Sequence, residues 1–332
     1  MTAVQRMAKR SMPYQLTLAL ILVSSQCAIG QQSPDAGRNR TQDSRDSLIV
    51  CRYPLVSIDA QVISTTSGAA VSDLTHDEII ISENGNMQIL ASFHRLRAPL
   101  SLVILIDSRG TNRELWSLQD RVSALSMGLA RALEPGDEVS VLSLTESRQM
   151  LLDYTSNKEL ISAALERASL QGNTAGAPAA RRLRLALERA AQQVRIAHNP
   201  EARRAIVLIS DGFQRTRDEL LPVKVLTAIL GSGSALCLAD SEGTEPQFVG
   251  ETQDLDTLTL DLMVGLTGGS FLDDDWASAL ERMRAIYRIA YWPDSRRSGE
   301  LVNIKLELKP DAKRDASDLM LAYPRFAILP HE

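Results

Sequence analysis

Apolar residues along this chain fall into short blocks, and the spacing within the blocks changes along the sequence. Between residues 98 and 285, continuous apolar runs alternate with longer segments in which apolar positions recur every three or four residues. The runs are typical of buried strands in a parallel sheet, and the longer segments are typical of amphipathic helices. The alternation predicts an α/β domain with a doubly wound, mainly parallel sheet covered by helices on both faces.

The same patterns give the individual elements of this domain. Strands are predicted at residues 102–106, 138–144, 204–210, 234–239 and 270–272, with a short edge strand at 148–152. Helices are predicted at residues 113–133, 157–168, 179–196, 219–230, 255–266 and 274–284. The acidic run Asp273-Asp-Asp275 at the start of the last helix favours a helix N-cap over a calcium site, because carboxylates accept from free amides there.

Alternation with a period of two marks both flanks of the domain. Residues 47–97 are predicted to form a small β module, in which Asn84-Gly85 indicates a two-residue hairpin turn. Residues 286–328 are predicted to form a C-terminal β segment with strands at 287–292, 301–308 and 319–326. The sequence permits the two flanks to pack together as one accessory unit.

The first residues predict export. Residues 1–30 have basic residues before a short apolar stretch and small residues after it, which indicates a cleaved signal peptide. Residues 31–46 are polar and predict a disordered linker. We therefore expect a periplasmic or extracellular protein with no membrane span after signal removal.

Composition narrows the class of protein. The chain has 332 residues, of which 44% are hydrophobic and 23% charged, as in ordinary globular proteins. A net charge of −5 without a long basic run argues against a nucleic-acid partner. Cys51 and Cys237 are the cysteines left after signal removal, and they fit either a disulfide or two separate thiols.

Candidate ligand residues follow two of the predicted strands and one polar loop. Asp107 ends the first apolar run and is followed by Thr111, Asp211 ends a later run, and Thr174 lies in the loop between them. Carboxyl ends of parallel strands meet at one edge of an open sheet. Carboxylate and hydroxyl oxygens are the ligands that Mg²⁺ prefers, so these four residues predict a Mg²⁺ site at that edge.

In this order the motifs resemble the metal-ion-dependent adhesion site of von Willebrand factor type A domains, in the form found in exported bacterial proteins. That site reads Asp-x-Ser-x-Ser, then a Thr, then an Asp often followed by Gly; here it reads Asp107-Ser-Arg-Gly-Thr111, Thr174 and Asp211-Gly212. Residues 71–78, 83–85, 267–270 and 287–293 also resemble segments of the bacterial subgroup. The resemblance implies a Rossmann-like domain that is not an enzyme. It also implies adhesion or protein binding, in which a partner's acidic side chain completes the metal site.

Arg109 departs from this pattern, because it stands where the family has its first Ser. A guanidinium cannot ligate a metal and repels one, by some kcal/mol at about 4 Å and intermediate dielectric. Arg109 therefore fits three arrangements: it points outward, it replaces the ion by pairing with an aspartate, or it takes the partner's carboxylate directly as a bidentate pair.

Two other functions fit parts of the pattern. Asp107-Ser-Arg-Gly-Thr111 also resembles the first motif of haloacid dehalogenase-like Mg²⁺-dependent phosphatases, with Asp107 as nucleophile, although Arg109 replaces their second Asp. A structural scaffold with a decayed site is the other alternative. A hydrolase triad is not supported, because the histidines are scattered and no Gly-x-Ser-x-Gly turn is present.

Overall fold

The computed structural model describes residues 55–108, 112–144, 150–170, 179–210, 220–239, 257–273, 275–294, 298–309 and 318–329. The predicted signal peptide and linker lie outside the described residues. Among the helices that the structure describes, none is both long and apolar enough to cross a membrane.

The strands are β1 (Val56–Ser64), β2 (Ile79–Glu83), β3 (Asn86–Gln88), β4 (Leu90–Arg97), β5 (Leu100–Asp107), β6 (Glu138–Ser143), β7 (Met150–Thr155), β8 (Arg203–Ser210), β9 (Leu221–Pro222), β10 (Ser234–Ala239), β11 (Thr257–Leu258), β12 (Phe271–Leu272), β13 (Ala285–Tyr291), β14 (Leu301–Leu308), β15 (Leu319–Ala322) and β16 (Phe326–Ile328). The α-helices are α1 (Asn112–Ala132), α2 (Lys158–Leu170), α3 (Ala179–Arg195), α4 (Val223–Leu230), α5 (Leu260–Leu266) and α6 (Trp276–Arg284).

A six-stranded sheet forms the centre of the α/β part, in the order β12-β10-β8-β5-β6-β7. All neighbours are parallel except β7, which is antiparallel to β6 at the edge. Every residue of β5 and β6 is buried, because helices cover both faces and an apolar strand between them loses all contact with water. The predicted doubly wound, mainly parallel α/β fold is confirmed.

Among the described residues, three helices cover each face of this sheet. One face packs against α1, α2 and α6, through residues such as Leu125, Leu165 and Leu280. The other face packs against α3, α4 and α5, through residues such as Leu187 and Val225. Alternate residues of β5 and β8 point to opposite faces, so each strand contributes to both apolar clusters.

The two flanking segments share a pair of antiparallel sheets. One sheet has the order β15-β1-β13-β4 and the other β16-β14-β2-β3. The inner faces of both sheets contribute to one apolar cluster, with Ile58, Ile81 and Ile304 among its members. Strands from residues 56–97 thus pair directly with strands from residues 285–328, and the chain enters and leaves the α/β part through this sandwich.

Two local predictions are confirmed. β2 and β3 are joined by Asn84-Gly85, with φ of 48° and 85°, and Glu83 lies opposite Asn86, as the two-residue turn requires. Asp275 is the N-cap of α6, where its carboxylate accepts from the amide of Ser278 at 3.3 Å and from the Ser278 hydroxyl at 2.6 Å. These bonds lower the pKa of the Asp275 carboxyl.

Three predicted elements are wrong at their boundaries. The helix predicted at 219–230 begins only at Val223, because Pro222 favours extended backbone before it and β9 instead pairs with β11. That pairing also shortens the helix predicted at 255–266, which begins after the cap residue Thr259. The single strand predicted at 319–326 is two strands, β15 and β16, which lie in different sheets.

Cys237 lies in the middle of β10 and is buried as a free thiol. Burial raises the pKa of this thiol, so it stays protonated at neutral pH. Cys51 lies outside the described residues.

Candidate functional site

The order of the central sheet reverses beside β5. From β5 the chain proceeds to β6 on one side, and it later returns to β8 on the other side. The connections therefore leave in opposite directions from the carboxyl ends of β5 and β8, which creates the crevice where open α/β sheets bind ligands. Asp107 ends β5 and lies opposite Ser210, which ends β8.

Asp107 is fixed at the base of this crevice. Its side chain is buried, and the hydroxyl of Ser210 donates to its Oδ2 at 3.1 Å. The next residue, Ser108, is also buried. Burying a carboxyl group costs free energy unless it is hydrogen-bonded, and the Ser210 hydroxyl supplies such a bond. Asp107 thus sits at the crevice as a positioned carboxylate rather than a mobile one.

Ser210 was not among the predicted site residues, and neither was Arg121. Arg121 is on α1 and its Nη1 donates to the main-chain oxygen of Ser210 at 3.4 Å. The sequence carries a signal for it: Arg121 lies between Leu118 and Val122, on the helix face that packs against the sheet. A charged residue in an apolar stripe must reach a polar group at the edge of the core, and here that group is the end of β8.

The other predicted site residues lie outside the described residues: Arg109, Thr111, Thr174 and Asp211. Along the chain, described elements begin or end within five positions of each of them. α1 begins at Asn112, directly after Thr111, and β8 ends at Ser210, directly before Asp211. α3 begins at residue 179, five positions after Thr174. Within the described ranges, no group of three or more His, Cys, Asp or Glu side chains is placed to hold a metal ion.

We expect Ser210→Ala to lower the free energy of unfolding by about 1.5–3 kcal/mol, because Asp107 would lose a hydrogen bond to its charge in the protein interior. Urea unfolding followed by circular dichroism measures the change. Ser143→Ala is the matched control. Ser143 ends the neighbouring strand β6, and its hydroxyl is buried with no hydrogen-bond partner in the part of the chain that the structure describes. Equal effects of the two substitutions would contradict a special role for the Ser210 hydroxyl.

Comparisons with known proteins give structural likenesses alone. No family model matches the sequence, and no curated protein matches it. The chain is similar to the vWF domain of the type V pili tip protein Mfa5 from Porphyromonas gingivalis, at 18% identity and a TM-score of 0.28, over 35% of this chain and 38% of that one. It therefore spans well under two thirds of that structure.

Two further solved structures are also similar to this chain. A von Willebrand factor type A protein from Catenulispora acidiphila is 10% identical with a TM-score of 0.38, over 85% of this chain and 76% of that one. The manganese-loaded TRAP protein of Plasmodium vivax is 11% identical with a TM-score of 0.35, over 71% of this chain and 97% of that one. Likenesses this distant carry no weight for chemistry, which must come from the site's own residues.

Proposed function

We propose that this chain is an exported, non-enzymatic binding module of the von Willebrand factor type A kind, whose binding site is the crevice at the carboxyl ends of β5 and β8. The observation that carries the proposal is the placement of Asp107, buried and bonded to Ser210 beside the point where the strand order reverses. The α/β part, residues 98–285, forms the module, and residues 47–97 and 286–328 support it.

A divalent cation does not fit this site well. Asp107, Thr111, Thr174 and Asp211 supply hard oxygens, but Arg109 offers only donors and adds a positive charge among them. Arg121 brings a second guanidinium to the end of β8, within 3.4 Å of the Ser210 oxygen. Both charges oppose Mg²⁺, so we assign no step of binding to a metal.

Arg109 takes the place of the metal in this proposal. In the resembled family, a partner's carboxylate completes the coordination of the ion. A guanidinium at the same position binds a carboxylate through two parallel N–H···O bonds, without an ion between them. Asp107 is adjacent in the chain to Ser108 and two residues from Arg109, and its negative charge favours a guanidinium at the crevice. The partner is therefore a protein that presents an exposed Asp or Glu.

The phosphatase alternative is not favoured by the geometry. A nucleophilic aspartate must reach a phosphorus atom, whereas the Asp107 side chain has no exposed surface and its Oδ2 accepts from Ser210. A buried, hydrogen-bonded carboxylate of this kind is suited to positioning neighbouring groups rather than to nucleophilic attack.

Selection of displayed random peptides on the mature chain tests the proposal. We expect the selected peptides to contain Asp or Glu, and to bind equally in the presence of a metal chelator. Replacing that residue by Asn or Gln, or changing Arg109→Gln, should weaken binding at least tenfold, which corresponds to about 1.4 kcal/mol. Arg189→Gln, an exposed arginine on α3, is the control and should leave binding unchanged.

Two results would contradict the proposal. Peptides whose binding is indifferent to both their acidic residue and Arg109 would indicate another surface. Binding that is unaffected by Asp107→Ala, in a variant shown to be folded, would favour the structural scaffold with a decayed site.

A further inference from the structure

The start of α3 is strongly basic. Its first residues include Arg181, Arg182 and Arg184, and its first turn contains no acidic residue. This positive charge is concentrated in a chain whose net charge is −5. Basic side chains at the start of a helix add to the positive end of its dipole, so they weaken the helix rather than support it. The stability of α3 therefore does not account for these arginines.

α3 runs antiparallel to the parallel strands that it covers, which places its start beside the crevice. The end of the helix is fixed at the opposite edge of the sheet, where the main-chain amides of His198 and Asn199 donate to Glu138, the first residue of β6. The 17 residues of α3 extend about 25 Å, and the 8 residues of β8 extend about as far. The first turns of α3 therefore lie level with the carboxyl ends of β5 and β8.

The Asp107 side chain points to the side of the sheet that α3 covers. Leu105, two residues earlier in β5, belongs to the apolar cluster formed with α3, α4 and α5, and alternate residues of a strand share a face. Leu183 and Leu187 of α3 belong to the same cluster, and α3 packs on both β5 and β8. The start of α3 thus borders the crevice on the side to which its carboxylate points.

Arg181 and Arg184 lie on one side of α3, because residues three apart are neighbours on a helix surface, with about 5–6 Å between their Cβ atoms. Arg181 is exposed and Arg184 is half-buried. Neither forms an ion pair with a residue that the structure describes, and within the same ranges the Nε of Arg184 has no hydrogen-bond partner. Glu188, one turn further along the helix, lies 3.1 Å from Lys224 of α4. The described residues therefore leave two guanidinium charges beside the crevice without a counter-charge.

We propose that Arg181 and Arg184 are a second contact for the protein that binds in the crevice, and that they bind further carboxylates of an acidic segment in that protein. The inference rests on the proposed function, in which Arg109 binds the first carboxylate. A helix with its side chains is about 10–12 Å across, and an extended chain covers about 3.3–3.6 Å per residue. The partner segment therefore carries acidic residues about three or four positions apart.

Binding of fluorescently labelled octaglutamate to the mature chain, followed by anisotropy at low ionic strength, tests this contact, because exposed charges are least screened there. An uncharged octapeptide of alternating Ser and Gly is the reference and should not bind. We expect the double variant Arg181→Gln/Arg184→Gln to weaken octaglutamate binding about tenfold, or by about 1.4 kcal/mol. The matched control is Arg189→Gln/Arg195→Gln, which removes two exposed arginines from the far half of the same helix and should bind as the native chain does.

The outcomes separate this inference from the proposed function. Undiminished binding by Arg181→Gln/Arg184→Gln, with weaker binding by Arg109→Gln, would overturn the inference and leave the proposed function standing. The reverse result would support the acidic contact on α3 and contradict the role of Arg109. Equal losses in the two double variants would show attraction by net charge alone and overturn the inference. So would binding to phosphatidylglycerol vesicles without binding to octaglutamate.

The melting temperature shows whether these arginines serve the fold instead. Because they lie at the positive end of the helix dipole, the double variant Arg181→Gln/Arg184→Gln should melt at the same temperature as the native chain or higher. A lower melting temperature together with unchanged octaglutamate binding would assign both side chains to the stability of α3, and would overturn the inference.

Discussion

Replacing Arg284 with Met is expected to lower the free energy of unfolding by about 3–5 kcal/mol, because the Asp137 carboxylate would be left buried without its counter-charge. The side chains of the two residues are 1% and 0% exposed. Both nitrogens of the Arg284 fork donate to Asp137, Nη1 at 2.7 Å to Oδ1 and Nη2 to Oδ2. Asp137 also accepts from the main-chain amides of Leu100 and Glu134, so its position ties together the starts of β5 and β6.

The same pair joins the two parts of the molecule. Arg284 is the last residue of α6, and β13 of the accessory sandwich begins at the next residue. Loss of the pair therefore loosens the α/β sheet where the chain leaves it. Urea unfolding at neutral pH measures the effect. Arg282→Met is the control: Arg282 lies 3.4 Å from Asp273 at the surface, where ion pairs contribute about 0–1 kcal/mol. A loss below 1 kcal/mol for Arg284→Met would contradict this account of the junction.

Gly269→Ala is expected to destabilise the fold by about 3 kcal/mol, the upper end of the usual cost of overpacking. A Cβ at this position would lie 1.7 Å from the main-chain oxygen of Leu236 and 2.6 Å from its carbonyl carbon. Leu236 is in the middle of β10, so the obstructing atoms cannot rotate away as a side chain would. Either β10 or the turn after α5 must shift.

Gly233→Ala is the control, because it introduces backbone strain without a steric clash. Gly233 has a φ of 68°, which costs an alanine roughly 1–2 kcal/mol, but a Cβ there would meet no heavy atom within 4 Å. We expect Gly269→Ala to lower the melting temperature more than Gly233→Ala does. The reverse order would indicate that the turn at Gly269 yields easily, and that close packing against β10 is unimportant.

Much of the fold can be predicted from the sequence, because its strongest signals lie within short stretches of the chain. The apolar runs of β5, β8 and β10 predict buried parallel strands, and Asn84-Gly85 predicts its turn from backbone preferences alone. The pairing of β1 with β13 could not be predicted, since those strands are more than two hundred residues apart and many strands offer the same alternation. The boundaries of α4 and α5 were missed for a related reason, because the distant pairing of β9 with β11 sets them.

The candidate site likewise combines one residue that the sequence predicts with contacts that it does not. Asp107 is recognisable from the apolar run that precedes it, whereas the bond from Ser210 depends on two strands meeting in register. Arg121 reaches the site from another element: its place in the apolar face of α1 indicates that it needs a polar partner, but the sequence does not identify Ser210 as that partner.

In the proposed function, a guanidinium rather than a metal ion prepares the crevice for a partner's carboxylate. Arg109→Ser restores the residue type that the resembled adhesion site has at this position and removes the opposing charge. In the proposed arrangement, the variant leaves a set of oxygen ligands suited to a divalent cation.

Calorimetric titration with Mn²⁺ and Mg²⁺, on the native chain and on Arg109→Ser, distinguishes the guanidinium from a metal ion. We predict no cation binding by the native chain at millimolar concentration and one cation per chain for Arg109→Ser. Tight binding of one Mn²⁺ or Mg²⁺ by the native chain, lost in Asp107→Ala, would contradict it and show that the crevice has kept a metal despite Arg109.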